Sequence, residues 1–394
     1  MKPASCYLNA LGMLCSIGGT IAAIKKNLRA QKLGLTLSHD YASEQPLPIG
    51  LYQGELPTVP LAQSKWQSRN NQFAFAALSQ IRAEVDAAIA THGAHRIAVI
   101  VGTSTSGIDQ SERAVKHWVE HADFPPDYDY GMHEMGATAQ FVAETLGVTG
   151  PTYGISTACS SGAKAIASAR RLIQAGLCDA VIAGGVDTLC KLTVLGFSSL
   201  EAVSDQACNP FSNNRNGISI GEAAALFLIS ADPKGVELCG VGEGSDAHHI
   251  SAPDPTGAGA VRCMTAALKD ASLKPEQLDY INLHGTATAL NDQMESLAVN
   301  QVFGTDTACS STKPFTGHTL GAAGAVEAGI CWLCLQDDDS PLTPVQLWDG
   351  EADPALPALN FVTPDYSQAR QMRYALSNSF AFGGNNISLL LGRI

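Results

Sequence analysis

Three side chains in this sequence stand where chemistry could be done with them: Cys159, His284 and His318. Cys159 lies in Gly154-Ile155-Ser156-Thr157-Ala158-Cys159-Ser160-Ser161-Gly162, small residues that lead into an apolar, alanine-rich run from Ala163 to Leu172. The pattern predicts a turn and then a helix opening at or just after Cys159, with Ser160 and Ser161 in its first turn. Unpaired backbone N–H groups and the positive end of the helix dipole favour an anion there. A thiolate so placed would have a lowered pKa and serve as a nucleophile. The alternative is a small buried cysteine that only fills space, as most do. The two histidines stand in His284-Gly285-Thr286-Ala287-Thr288 and Thr316-Gly317-His318-Thr319, and such flanks suit tight turns where backbone lies close to a ligand. His39, His92, His95, His117, His121 and His133 lack that setting and need no function.

These groups must be carried by a scaffold, and the hydrophobic pattern supplies one. Cys6 to Leu14 reads as a first strand, Gly18 to Lys32 as an amphipathic helix, and residues 35–60 as a surface excursion rich in Pro, Gly, Ser and Thr. Lys65 to Arg82 reads as a helix with Phe73, Phe75, Leu78 and Ile81 inward, and another helix should precede Arg96. Ile97 to Val101, Ala180 to Gly184 and Ala223 to Ile229 are unbroken apolar runs, the signature of strands covered on both faces. Residues 105–150 hold several aromatics but little periodicity, as a stretch covering a site or building an interface would. The texture breaks near Asp232-Pro233-Lys234-Gly235, which sets a boundary between residues 1–231 and 232–394.

The second part repeats the plan of the first. A helix from about Gly259 to Ala271 precedes a strand Tyr280 to Leu283 that ends at His284, and a helix of small residues follows His318. Two strands, Arg373 to Asn378 and Asn386 to Leu391, close the chain around Phe380-Ala381-Phe382-Gly383-Gly384. Small residues let two such helices approach closely between two sheets. The expected fold is therefore α/β in five layers, α-β-α-β-α, built from two duplicated halves.

Composition narrows the function. Hydrophobic residues make up 45% of the 394 and charged residues only 15%, which suits a deeply buried enzyme rather than a disordered chain. A net charge of −13 argues against nucleic acid, and requires any acidic partner to find a local basic patch. The eleven cysteines follow no regular spacing, as expected for reduced thiols. Cys331 and Cys334 lie in an apolar helical run without a second pair at zinc spacing, so no metal and no cofactor is expected. The early apolar stretch to Ile24 is interrupted by Asn9 and glycines, and no run reaches the ~18 apolar residues of a membrane span. A cytoplasmic protein is the expectation.

Taken together, these segments resemble the β-ketoacyl-acyl carrier protein synthases, the elongating condensing enzymes of the thiolase-like superfamily. Thr157 to Gly162 is similar to that family's nucleophile motif, and His284 to Thr288 to its first histidine motif. Ser311-Thr312-Lys313 with Gly317-His318-Thr319-Leu320-Gly321-Ala322-Ala323-Gly324 is similar to its lysine and second-histidine motif, and Asn378 to Gly384 to its glycine loop. Ser245 to His249 and Ala252 to Pro255 resemble a further loop, and the matches are collinear along nearly the whole chain.

The resemblance implies a decarboxylative condensation. An acyl group passes from an acyl carrier protein to Cys159. Malonyl thioester then loses carbon dioxide while His284 and His318 donate hydrogen bonds to its oxygen, and the product is a 3-oxoacyl chain two carbons longer. It implies an oxyanion hole from the N–H groups of Cys159 and Phe382, with Phe382 also a gate and Asp246 in the loop that moves with it. It implies a supporting pair of Lys313 and Glu327, and pantetheine contacts from Thr286 and Thr288. Lys65 and Arg69 would meet the acidic carrier, although an ordinary solvated helix face explains them equally. It further implies a dimer, of identical or related subunits, joined through central strands.

The chain departs from the family's usual pattern at Asn385, Ala289, Asn291, Ser212, Asn216, Ala223 and Ala225, none of which removes a reactive group. These departures fit a specialised fatty-acid, polyketide or polyene pathway. Two other functions compete with this one. A non-catalytic, chain-length-shaping partner would lack the cysteine, and a thiolase acting on coenzyme A thioesters would carry a second reactive cysteine near the C-terminus, where none follows Cys334.

Overall fold

The computed structural model describes residues 5–41, 45–336, 341–366 and 371–394. Strands Ile97–Gly102, Ala180–Asp187 and Ala223–Ser230 are buried at every position, because each is covered on both faces. Alternate side chains along a strand point to opposite faces, so they should belong to different cores. They do. Val99 and Val101 lie in a cluster with Phe73, Leu78 and Phe141, whereas Ala98 and Ile100 lie in another with Ile166 and Ala325. On Asn385–Arg393, Ile387, Leu389 and Leu391 join that second cluster, while Leu390 joins a third with Met264 and Leu376.

Three cores separated by two sheet regions make five layers. Helices Arg69–Gln80 and Ala137–Leu146 cover one outer face, and Ala258–Ala271 and Ala289–Phe303 the other. Between the sheet regions lie Ser161–Gln174 and Ala323–Gln336. These two middle helices touch nearly backbone to backbone. A Cβ added to Gly162 would come within 2.8 Å of the Ala325 Cβ, and one added to Gly324 within 2.8 Å of the Ala163 Cβ. Any larger side chain at these glycines would force the layers apart.

The two sheet regions are continuous. The strand order is Asn360–Phe361, Ala308–Ser311, Tyr280–Leu283, Tyr374–Phe380, Asn385–Arg393, Val236–Ser245, Tyr7–Cys15, Ala223–Ser230, Ala180–Asp187, Ile97–Gly102, Thr152–Ile155. Strands from before residue 231 lie on one side of the seam and strands from after it on the other. The seam is narrow: Tyr7 pairs with Glu237 and Leu8 with Val236.

Several boundaries differ from the sequence expectation. The helix expected over Lys65 to Arg82 is a short 3-10 turn, Ser64–Trp66, followed by a helix that opens at Arg69, where the Ser68 hydroxyl accepts from the Asn71 N–H at 3.1 Å. A further helix, Arg82–His92, precedes Arg96 as expected. The stretch 105–150 is more regular than expected, holding helices Ile108–His121 and Ala137–Leu146. The first carries an apolar stripe at helical spacing, part of which faces outward: Val115, Trp118 and Val119 are exposed, while Asp109 and Ser111 are buried.

Candidate active site

The nucleophile turn follows strand Thr152–Ile155. Ala158 has a φ of +52°, a conformation costly for a residue with a Cβ, and its neighbours hold it there. The Ser161 hydroxyl accepts from the Thr157 N–H at 2.8 Å and donates to the Ala158 carbonyl at 2.6 Å, while the Ser160 hydroxyl donates to the Thr157 carbonyl at 2.7 Å. The helix itself starts at Ser161, with Ser160 as its cap. Cys159 is thus one step outside the helix and 5% exposed.

His284 extends from strand Tyr280–Leu283 into a loop fixed by two buried carboxylates. Glu295 accepts the N–H groups of His284 and Gly285 at 2.8 and 2.7 Å, and Asp292 those of Phe211 and Ala287 at 2.7 and 3.2 Å. His318 follows the short helix Lys313–Thr316 and Gly317, whose φ of +69° turns the chain back. Its N–H donates to the Ser219 carbonyl at 2.6 Å, and its carbonyl accepts from the Gly221 N–H at 2.9 Å.

These elements bring the three side chains together. The His318 Nε2 lies 3.0 Å from the Cys159 Sγ, and Cys159, His284 and His318 each offer an atom within 4.8 Å of the others. The imidazole rings stand edge to face, 5.5 Å apart at 85°. The backbone N–H groups of Cys159 and Phe382 face the sulfur and act to lower its pKa. Behind His284, the Lys313 ammonium donates to the His284 carbonyl, lies 3.5 Å from its Nδ1, and pairs with Glu327 at 2.5 Å. Such a Cys-His-His set could hold a soft metal ion. The lysine charge beside His284 opposes one.

The electrostatics correct one expectation. Burial pushes the Cys159 thiol up to about 12; the Lys313 ammonium and the two N–H donors pull it down only in part. The helix terminus does not leave a free thiolate, because desolvation outweighs the terminal field. Burial, and next the Lys313 charge, holds His284 and His318 well below the usual imidazole range. Both rings are therefore neutral near pH 7, each with a single N–H. With an ammonium facing the His284 Nδ1, its proton belongs on Nε2. Among the described residues the buried His318 Nδ1 has no hydrogen-bond partner.

The three groups line a cavity of about 360 Å³. Phe197, Phe380 and Phe382 contribute aromatic wall, Phe197 and Phe382 with ring centroids 5.6 Å apart. Thr286 and Thr288 also line it, their hydroxyls 2.9 Å apart. The Phe382 loop is tied to the Asp246 loop: the Gly383 N–H donates to the Ile250 carbonyl at 2.7 Å, the Asp246 N–H to the Gly384 carbonyl at 2.9 Å, and the Asn386 amide to Asp246 at 2.7 Å.

Arg69 has a partner that the alternative of a solvated helix face did not foresee. The Arg69 guanidinium spans the buried Glu222 carboxylate, Nε to Oε2 at 2.9 Å, and the Lys65 ammonium lies 4.3 Å from the centre of the Trp66 ring. A buried carboxylate needs such a cation. The departures are locally accommodated. The Ser212 hydroxyl donates to Asp349 at 2.8 Å, the Asn216 amide to Asp205 at 2.9 Å, and the Asn291 amide to Asp292 at 3.1 Å, with Asn216 and Asn291 both lining the cavity.

Sequence reasoning passed over Asp187 and Glu222, both fully buried. Each is a lone acid beside an apolar strand, and a carboxylate there must have donors. Phe197 gave no such signal.

Comparison with known proteins agrees with this geometry. Residues 71–234 match the beta-ketoacyl synthase N-terminal domain, and residues 236–344 its C-terminal domain. The 3-oxoacyl-[acyl-carrier-protein] synthase 2 of Synechocystis is 32% identical over 406 residues, covering 97% of this chain and 96% of that protein. Nodulation protein E of Rhizobium meliloti is 31% identical over 404 residues, covering 98% of each. Among solved structures, a chain of the complex between the ketosynthase ApeO and its chain length factor ApeC from Xenorhabdus doucetiae superposes with a TM-score of 0.95 at 46% identity, covering 99% of this chain and 98% of that one. A cysteine turn and two histidine turns meeting at one cavity, on a fold shared along the full length, make this chain a member of the β-ketoacyl synthase family, with its thiolase-like fold.

Proposed function

We propose that the protein is an elongating β-ketoacyl-acyl carrier protein synthase in which Cys159 holds the growing chain and His284 and His318 act on malonyl thioester. The observation that carries this reading is the meeting of one sulfur and two neutral imidazoles within 4.8 Å on an open cavity. In the first step the Cys159 sulfur attacks an acyl-carrier thioester. Its proton passes to His318, 3.0 Å away, and on to the departing pantetheine thiolate. The N–H groups of Cys159 and Phe382 stabilise the tetrahedral oxyanion.

Malonyl thioester then binds beside the acyl-enzyme and loses carbon dioxide. The enolate oxygen accepts hydrogen bonds from the Nε2–H of His284 and from His318. The carbanion attacks the acyl-Cys159 carbonyl and expels the thiolate, which recovers a proton from solvent. The 3-oxoacyl product stays on the carrier, two carbons longer. Lys313 and Glu327 hold His284, Thr286 and Thr288 take the pantetheine arm, and Phe382 with Asp246 gates access. Residues 1–231 thus carry the nucleophile and 232–394 both histidines.

The partners follow from the same reading: an acyl carrier protein as donor, and a second related subunit. Thr152–Ile155 is the last strand of the sheet, and Val115, Trp118, Leu192 and Leu195 are exposed on two helices that Glu112 links. Those features suit a subunit contact, and the solved complex of a relative with its chain length factor favours a heterodimer. No described helix is long and apolar enough to cross a membrane, and the reading places the protein in the cytoplasm with its carrier.

The test is to incubate the protein with malonyl-carrier and a panel of acyl-carriers, following acyl-Cys159 and 3-oxo product by mass spectrometry. Cys159→Gln should abolish loading and retain malonyl decarboxylation. Loading that persists in this variant sinks the assignment.

A further inference from the structure

Asp187 ends the strand Ala180–Asp187 and is completely buried, yet its partners are hydroxyl and backbone N–H donors rather than a cation. Its Oδ1 accepts from the Thr103 hydroxyl at 2.6 Å, the Ser104 N–H at 2.8 Å, and the Thr105 N–H and hydroxyl at 2.9 and 2.8 Å. Its Oδ2 accepts from the Gly321 N–H at 2.5 Å and also from the Ser104 N–H at 3.0 Å. The first group of donors follows strand Ile97–Gly102, whose last residue lies against the start of the helix that follows the nucleophile turn: a Cβ on Gly102 would sit 2.4 Å from the Gly162 nitrogen. Gly321 belongs to the turn three residues beyond His318. One carboxylate therefore joins the loop after that strand to the segment that carries His318.

That turn needs holding. Leu320, between His318 and Gly321, has a φ of +50°, a left-handed conformation that a leucine adopts only when its surroundings impose it. The backbone of His318 is also bonded to Ser219 and Gly221, but a segment held only there can pivot about that point. A second anchor at Gly321 fixes the direction of the imidazole.

We propose that Asp187 is a positioning residue that sets the contact between His318 and Cys159, by tying the Gly321 turn to the Thr103–Thr105 loop. What the pair does rests on the ketosynthase reading. Its alignment does not, so the test is placed on the thiol itself.

The measurement is the rate at which iodoacetamide alkylates Cys159, followed by peptide mass spectrometry from neutral to alkaline pH. His318→Ala gives the profile of a thiol without its imidazole. Asp187→Asn, which turns an amide N–H toward donors on one side, should slow Cys159 alkylation by about 10- to 100-fold at neutral pH and move its profile toward that reference. Thr103→Val removes one bond to Oδ1 and keeps the Gly321 tether. It should lower the melting temperature and leave the profile in place. If Asp187→Asn does not fold, Asp187→Glu retains the charge, displaces its oxygens by a methylene, and should shift the profile in the same direction. A folded Asp187 variant with the wild-type profile overturns the proposal, as does Thr103→Val shifting it equally. Failure of the wild-type protein to form 3-oxo product would count against the function and leave this result unaffected.

Discussion

Lys313 and Glu327 are 1% and 3% exposed in their side chains and 2.5 Å apart, so each is the other's reason for being charged. Burial raises the Glu327 carboxyl to about 7 even with the ammonium beside it. Above that pH the pair is ionised, and removing one member leaves a charge in a site that cannot solvate it. Breaking a buried pair in this way costs about 3–5 kcal/mol. Lys313→Met and Glu327→Gln should each lose that much in urea denaturation at pH 8. The double variant should lose less than the sum, giving a coupling energy of about 3 kcal/mol. The coupling should shrink at pH 5.5, where Glu327 is protonated.

Catalysis supplies a second readout. Burial first, and then the Lys313 charge, holds both imidazoles below their usual range, and the ammonium lies 3.5 Å from the His284 Nδ1. In Lys313→Met the histidine pKa values move up, so the acid limb of decarboxylation should appear at higher pH than in the wild type. Single losses below about 1 kcal/mol, additive double-variant losses and an unmoved acid limb would together refute the reasoning, since a surface-like pair behaves that way.

Two other outcomes test parts of the scaffold. Glu295 has a folded pKa raised to about 7 from 4.5, so it binds more protons folded than unfolded over that range. Its contribution is fully present below the unfolded value and lost as pH rises through about 7; Glu295→Gln should flatten that part of the stability–pH curve and slow decarboxylation, as read by urea titrations at several pH values. Arg69→Ala leaves the buried Glu222 without its guanidinium and should cost about 1–3 kcal/mol, less than a fully buried pair because Arg69 is 25% exposed. Unchanged stability with weakened carrier binding would instead mark Arg69 as a docking charge.

Much of this molecule is local information. Unbroken apolar runs gave the doubly covered strands, and small residues around Gly162 and Gly324 gave two middle helices in close contact, because both patterns follow directly from which faces must be dry. The flanks of Cys159, His284 and His318 gave the reactive groups, since a turn needing Gly, Ser or Thr at fixed offsets writes itself into consecutive residues. What the chain alone could not give is anything decided by partners far apart in number. Part of the apolar stripe of Ile108–His121 faces outward, against the usual pattern. Arg69 meets Glu222 across 153 positions, and Asp187 meets Gly321 across 134. The acidity of Cys159 belongs here too: a helix nearby predicts a stabilised thiolate, but only the packed structure shows how completely water is removed, and desolvation sets the sign.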